Sequence, residues 1–276
     1  MSEEGPSPES FLSGRVGHVG PRRARAMRAL DRLLDLELRA RGVPARLERL
    51  ARAVPRRRLV ALCVYRERSR RLEAISRELA ATRHELRPLF GRFGEGAMSG
   101  GKFENLNLLL REAGAADYDW LLLVDDDVVL PERFVDRLVG LCERLELGLA
   151  QPAQTLASHA AWPVTRRRLF SLARETGFVE IGPVTALRRD VAAVLAPFPE
   201  LRFGCGLDLH WSALARERRW RLGVLDALPV RHEQAGVASG YGHAEAVDEA
   251  RRFLSGRPFV PSAEAGATLA VHRRLG

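Results

Sequence analysis

Two periods of apolar and polar residues alternate along this chain, and the switches between them mark out its elements. Leu59-Val60-Ala61-Leu62-Cys63-Val64-Tyr65 is an unbroken apolar run, and so is Trp120-Leu121-Leu122-Leu123-Val124. Runs of this length fit strands buried on both faces of a sheet. Leu147 to Gln151 reads as another strand, with a short one over 84–89, an extended stretch over 178–187 and one or two strands over 221–230. Helical spacing predicts helices over about 66–82, 102–113, 132–145, 188–195, 207–218 and 244–254. Pro131 suits the first turn of the 132–145 helix. Gly91 to Gly101 holds five glycines without periodicity and reads as a mobile loop. Gln151 to Arg168 reads as a polar loop carrying His159 and Trp162. Strand and helix alternate throughout, which predicts an α/β fold with a mainly parallel sheet and helices on both faces.

Outside this pattern lie two ends. Residues 1–20 are rich in Gly, Pro, Ser and Glu and read as a disordered tail. Residues 21–57 shift to Arg, Leu and Ala and form a basic helical extension of two helices, the first about 20 residues long. Met27, Leu30, Leu33, Leu34 and Leu38 make one apolar stripe; Leu47, Leu50 and Val54 make another after a break at Gly42-Val43-Pro44. Such a segment can pack on the domain's own surface, pair with a second chain, or lie on an anionic membrane as a peripheral contact. The main domain then spans 58–257, with a loosely attached tail over 258–276.

Composition narrows the class. At 276 residues and 46% hydrophobic, the chain is long enough to bury a sizeable core. No apolar run approaches the roughly 20 residues that cross a bilayer, and Met1 to Pro8 lacks the apolar core of a secretory signal. Three widely spaced cysteines (Cys63, Cys142, Cys205) fit reduced thiols of a cytoplasmic protein, not a disulfide scaffold or a zinc site. The net charge of +9 could favour a polyanion. Lys102, however, is the lone lysine among 44 basic residues, so the arginine excess looks like coding bias, and no specific nucleic-acid partner is expected.

The strongest chemical signal is Asp125-Asp126-Asp127, directly after the Trp120 run. In open α/β sheets ligands gather at the carboxyl ends of strands. Three adjacent acids there repel one another unless a cation sits among them. Alternation along a strand points Asp125 and Asp127 one way and Asp126 the other. A divalent cation with oxygen ligands suits that pair; a solvated acidic turn with helix-capping Asp residues is the plainer alternative.

A series of markers across about residues 59–233 resembles the GT-A glycosyltransferases, above all the large family 2 group of inverting enzymes. Tyr65-Arg66-Glu67 stands where that family often has Tyr-Asn-Glu. Gly101-Lys102 with Leu106-Asn107 resembles its Gly-Lys…Leu-Asn helix opening. Asp125-Asp126-Asp127 matches its Asp-x-Asp motif. Gly182 with Arg188-Arg189-Asp190, Gly206-Leu207-Asp208, and the strand delivering His232 follow in the family's order. The resemblance implies a Rossmann-like GT-A domain that moves a sugar from a nucleotide-diphosphate donor to an acceptor hydroxyl. It implies a metal held by Asp125, Asp127 and His232, Mn²⁺ or Mg²⁺ by the hardness of the ligands, with the imidazole tilting the choice to Mn²⁺. Asp208 becomes the candidate general base. Tyr65, Arg66, Glu67, Lys102, Asp125 and Asp126 become candidate nucleotide-sugar contacts, and His210, Trp211 and Trp162 candidate neighbours of the acceptor. Plainer roles stand beside each: a surface histidine, a helix-capping Asp208, a solvated Lys102, a core-edge Tyr65. Leu207 replaces an acid usual in the family, and 84–93 lacks its Asp-Asp-Gly-Ser-like turn. A non-catalytic sugar-nucleotide binder therefore stays open. So does a nucleotidyltransferase, although the Arg66 to Arg70 loop lacks the glycines that such enzymes place after the first strand.

Overall fold

The computed structural model describes residues 20–114, 117–158, 160–232 and 243–275. The tail over 1–19 lies outside them, as does His159. Helices α1 (Pro21–Ala40) and α2 (Val43–Ala53) come first, split where expected by Gly42, whose φ of 67° ends one helix and opens the next. There follow β1 (Arg58–Tyr65), α3 (Arg70–Ala80), β2 (Glu85–Arg92), α4 (Lys102–Ala113), β3 (Trp120–Val124), β4 (Val128–Val129), α5 (Phe134–Arg144) and β5 (Leu149–Gln154). The second half holds β6 (Ala173–Thr176), β7 (Val184–Arg188), α6 (Arg189–Leu195), α7 (Leu207–Arg218), β8 (Leu222–His232), α8 (His243–Leu254), α9 (Ser262–Ala265) and β9 (Thr268–His272).

Among the described residues the strands form one sheet in the order β2-β1-β3-β7-β5-β8-β6-β9, with β4 attached to β8. Six of the eight strands on that path run one way, and β7 and β6 run against them. Alternate residues of the central strands feed two cores. Val60, Leu62, Leu121 and Leu123 pack with side chains of α4, α6, α7 and α8 on one face. Leu59, Ala61, Trp120 and Leu122 pack with α2, α3 and α5 on the other. The result is a mixed, mainly parallel sheet between helical layers, as the unbroken apolar runs predict.

The helical extension docks on this body. Val43, Leu47 and Ala51 of α2 are buried, and a Cβ on Gly140 of α5 would lie 3.2 Å from the Ala51 backbone. Arg83 fastens the junction by donating to the carbonyls of Ala51, Arg52 and Val54 at 2.7–3.0 Å.

Two expectations are corrected, and one strand is unforeseen. The tail after Pro258 is not loosely attached: β9 pairs antiparallel with β6, and Val260 is buried. Strand β6 itself escapes the apolar pattern because it reads Ala-Arg-Glu-Thr. Its Arg174 is buried against Asp226 of β8, Nε to Oδ2 at 2.8 Å and Nη2 to Oδ1 at 3.0 Å. Helix α5 starts at Phe134 behind Arg133, which is left-handed (φ 54°), so Pro131 falls before its first turn. Asp226 also accepts from the Arg168 backbone N–H at 3.0 Å. Asp226→Ala leaves a guanidinium buried without its partner, and urea denaturation should show a loss of about 3–5 kcal/mol.

Candidate functional site

The aspartates follow β3 in a tight turn that carries the chain to β4, past the ends of β7 and β5. There Val128 pairs with His232 and Val129 with Arg231, so the end of β8 is brought beside the acids by backbone pairing. Asp127 Oδ2 lies 3.0 Å from His232 Nε2, and the His232 backbone N–H donates to Ser158 Oγ at 3.0 Å. Asp125, Asp127 and His232 each offer one ligand atom, all within 4.8 Å of one another. Two carboxylates and an imidazole converging in this way could hold a divalent cation of the Mn²⁺ type. Burial works to raise Asp127, but the hydrogen bond and charge of His232, helped by Lys102, outweigh it and hold the carboxyl below its usual range.

Strand β3 ends at Val124, so the alternation expected across 125–127 does not apply; Asp126 lies in the turn and accepts from the Arg66 backbone N–H at 3.1 Å. It thus ties the β1–α3 loop to the β3 end. Burial pushes its carboxyl up. Asp125 is occupied by Lys102, Nζ to Oδ1 at 2.6 Å. The lysine also donates to the Ile181 carbonyl at 3.3 Å. Gly182 is packed into this corner: a Cβ there would come 2.8 Å from Asp125 Oδ2 and 3.3 Å from Lys102 Nζ. Gly101, before Lys102, has no room either, since a Cβ there would collide with the Arg202 backbone. The two glycines let three backbone segments meet around one ion pair.

Other candidates are dispersed. Tyr65 is buried beside Cys63 and Leu72, in the core-edge position. Arg66 and Glu67 are exposed, and the Arg66 guanidinium sits over the Phe93 ring at 5.3 Å. Arg188 and Asp190 pair with each other at the far end of β7, where Arg188 lies opposite Trp120, a strand's length from Gly182. Trp211 is buried edge-on to Phe103 at 6.3 Å, a core residue. His210 bonds to the Pro258 carbonyl through Nδ1 at 2.7 Å.

Asp208 sits in the first turn of α7, after Gly206 at φ 85°. Its Oδ1 accepts from Leu209 N–H at 3.0 Å, and the Trp162 indole also bonds its carboxylate. Only 7% of the residue is exposed. Burial outweighs these bonds and pushes its carboxyl up to about 7. The helix end satisfies part of the capping role; the perturbed acidity goes beyond it.

Sequence reasoning missed Glu180. Its Oε2 accepts from Gln154 Nε2 at 2.8 Å and from Thr165 Oγ1 at 3.1 Å. Burial, reinforced by the Asp208 charge, pushes it up to about 8, while His232 pulls the other way. Glu180 therefore lies within electrostatic reach of both Asp208 and His232 and joins the two parts of the site. A lone acid in the apolar stretch Phe178-Val179-Glu180-Ile181 was the available signal.

No protein-family model and no curated protein matches the sequence. Among solved structures, residues 1–349 of TarS from S. aureus overlay at a TM-score of 0.40 with 11% identity, over 65% of this chain and 59% of that one. The mannosyltransferase PcManGT from Pyrobaculum calidifontis, solved with GDP-Man and Mn²⁺, overlays at a TM-score of 0.52 with 14% identity. That overlay covers 87% of this chain and 77% of that one. With the sheet and its helical layers, this gives the chain the GT-A fold.

Proposed function

We propose that the protein is a metal-dependent, inverting glycosyltransferase of the cytoplasm that moves a hexosyl group from a nucleotide-diphosphate sugar to an acceptor hydroxyl. The observation that carries the reading is the convergence of Asp125, Asp127 and His232 at the acidic end of β3. Support comes from a mannosyltransferase of the same fold that binds GDP-Man and Mn²⁺. Asp125, Asp127 and His232 would hold Mn²⁺ or Mg²⁺, which supplies Lewis-acid stabilisation of the departing diphosphate. Lys102 would add a mobile positive charge beside those oxygens once released from Asp125, and Asp126 keeps the Arg66 backbone at the rim for the nucleotide. Asp208 takes the proton from the acceptor hydroxyl as that oxygen attacks the anomeric carbon. A carboxyl with acidity near 7 is suited to this work at neutral pH. Glu180, being less acidic still, stays protonated longer and limits the negative charge around Asp208. Burial pushes the Cys63 and Cys142 thiols up, and two such buried thiols accord with a reducing compartment.

A thermal-shift screen of nucleoside diphosphates with and without Mn²⁺ tests the reading. One nucleotide at a hundred times its dissociation constant adds about 2.7 kcal/mol, or roughly 5–10 °C for a chain of this size. The shift should require the metal. Pyrophosphate release from nucleoside triphosphates, without diphosphate release from sugar nucleotides, would replace the transferase with a nucleotidyltransferase.

A further inference from the structure

Helix α1 uses only one side to dock. Asp31 on that side is buried and accepts from the backbone N–H groups of Leu156 at 2.9 Å and Ala157 at 3.1 Å. Arg167 Nη1 pairs with Asp35 at 2.8 Å and reaches Asp31 at 3.5 Å, and Glu37 pairs with Arg41. All three acids of the helix are thus engaged by arginines or backbone. The opposite side carries Leu30, Leu33 and Leu36, at 43%, 60% and 56% exposure, continued by Ala26, Ala29 and Ala40 at helical spacing. Arg25, Arg28, Arg32 and Arg39 are exposed along one flank of that stripe. Exposed leucines scattered singly need no explanation, but a row of them beside a row of arginines does.

We propose that this face of α1 lies in the plane of an anionic lipid surface, with its leucines in the headgroup boundary and its arginines on lipid phosphates. Charge complementarity selects the occupant. In an antiparallel two-fold pair of chains the arginine row of one copy would approach the same row of the other, with the carboxylates of α1 already engaged. Phosphate-bearing lipid supplies what the face lacks. No helix among the described residues is long and apolar enough to cross a membrane, so the contact is peripheral. The inference is independent of the glycosyltransferase reading.

The full chain should sediment with phosphatidylcholine vesicles containing phosphatidylglycerol, release as salt rises, and stay in solution with phosphatidylcholine alone. Leu33→Gln with Leu36→Gln should lower partitioning roughly tenfold or more, and Arg25→Gln with Arg32→Gln should do the same. These side chains are exposed, so the melting temperatures of both variants should match the parent chain. Equal partitioning of parent and variants, or no binding to the anionic vesicles, overturns the proposal. A concentration-dependent dimer in lipid-free solution, abolished by the leucine substitutions, also overturns it and assigns the face to a second copy.

Discussion

Asp208→Asn lowers the rate of sugar transfer by about 10²–10⁴-fold, the usual contribution of a positioned general base, and leaves the nucleotide-dependent thermal shift where it was. The substitution keeps the side chain's size and removes its capacity to take a proton. The parent enzyme's rate should rise with pH and level off above an apparent ionisation near 7, because burial raises the Asp208 carboxyl to about that value. Stability offers a second readout. The folded carboxyl titrates above its unfolded value, so the stability it contributes is full below about pH 4, is lost progressively as the pH rises to about 7, and stays lost above that. The amide of the variant undergoes no such loss, so the variant should melt above the parent at pH 8 and close to it at pH 4. A variant transferring within tenfold of the parent would move the base to another group, and Glu180 is the nearest one by electrostatics.

Asp127→Asn removes the metal dependence of nucleotide binding altogether. Asp127 is one of two carboxylates in the donor set and the partner of His232 at 3.0 Å. The amide that replaces it would offer the cation a neutral oxygen in place of a carboxylate. The expected result is a thermal shift with nucleotide and Mn²⁺ no larger than with nucleotide alone. The parent chain loses the same increment on adding a chelator. Titration calorimetry separates the outcomes: metal binding retained within about tenfold of the parent would shift the cation's anchorage to Asp125 and other ligands.

The parts of this arrangement that could be read from the residues are those whose surroundings are uniform. Leu59 to Val64 and Trp120 to Val124 are apolar without alternation because both faces are covered, and that pattern survives any detail of packing. The Asp125–Asp127 turn was legible because three adjacent acids need a reason. What escaped depends on pairing across distance. Strand β6 hides a buried guanidinium whose carboxylate lies 52 residues away. The edge strand β9 alternates Leu269 and Val271 with Thr268, Ala270 and His272, but only its pairing with β6 reveals that it belongs to the sheet. Glu180 gained its character from Gln154, Thr165 and Asp208, none of them adjacent in the chain. Trp162 bonds the Asp208 carboxylate and rests on Phe178 at a centroid distance of 4.7 Å, neither of which its place in a polar loop reveals. Lys102 pairs with Asp125, a partner that its place at a helix start does not reveal.

The two-residue ladder between β4 and β8 has a wider meaning for how the molecule comes together. Asp127 and His232 meet only after the chain has closed a long loop, which is entropically slow to do. No fragment ending before β8 can own the donor set, however well its first strands fold. A bound cation would in turn rivet the early and late halves of the sheet at their shared rim, so occupancy and the integrity of that rim would rise and fall together.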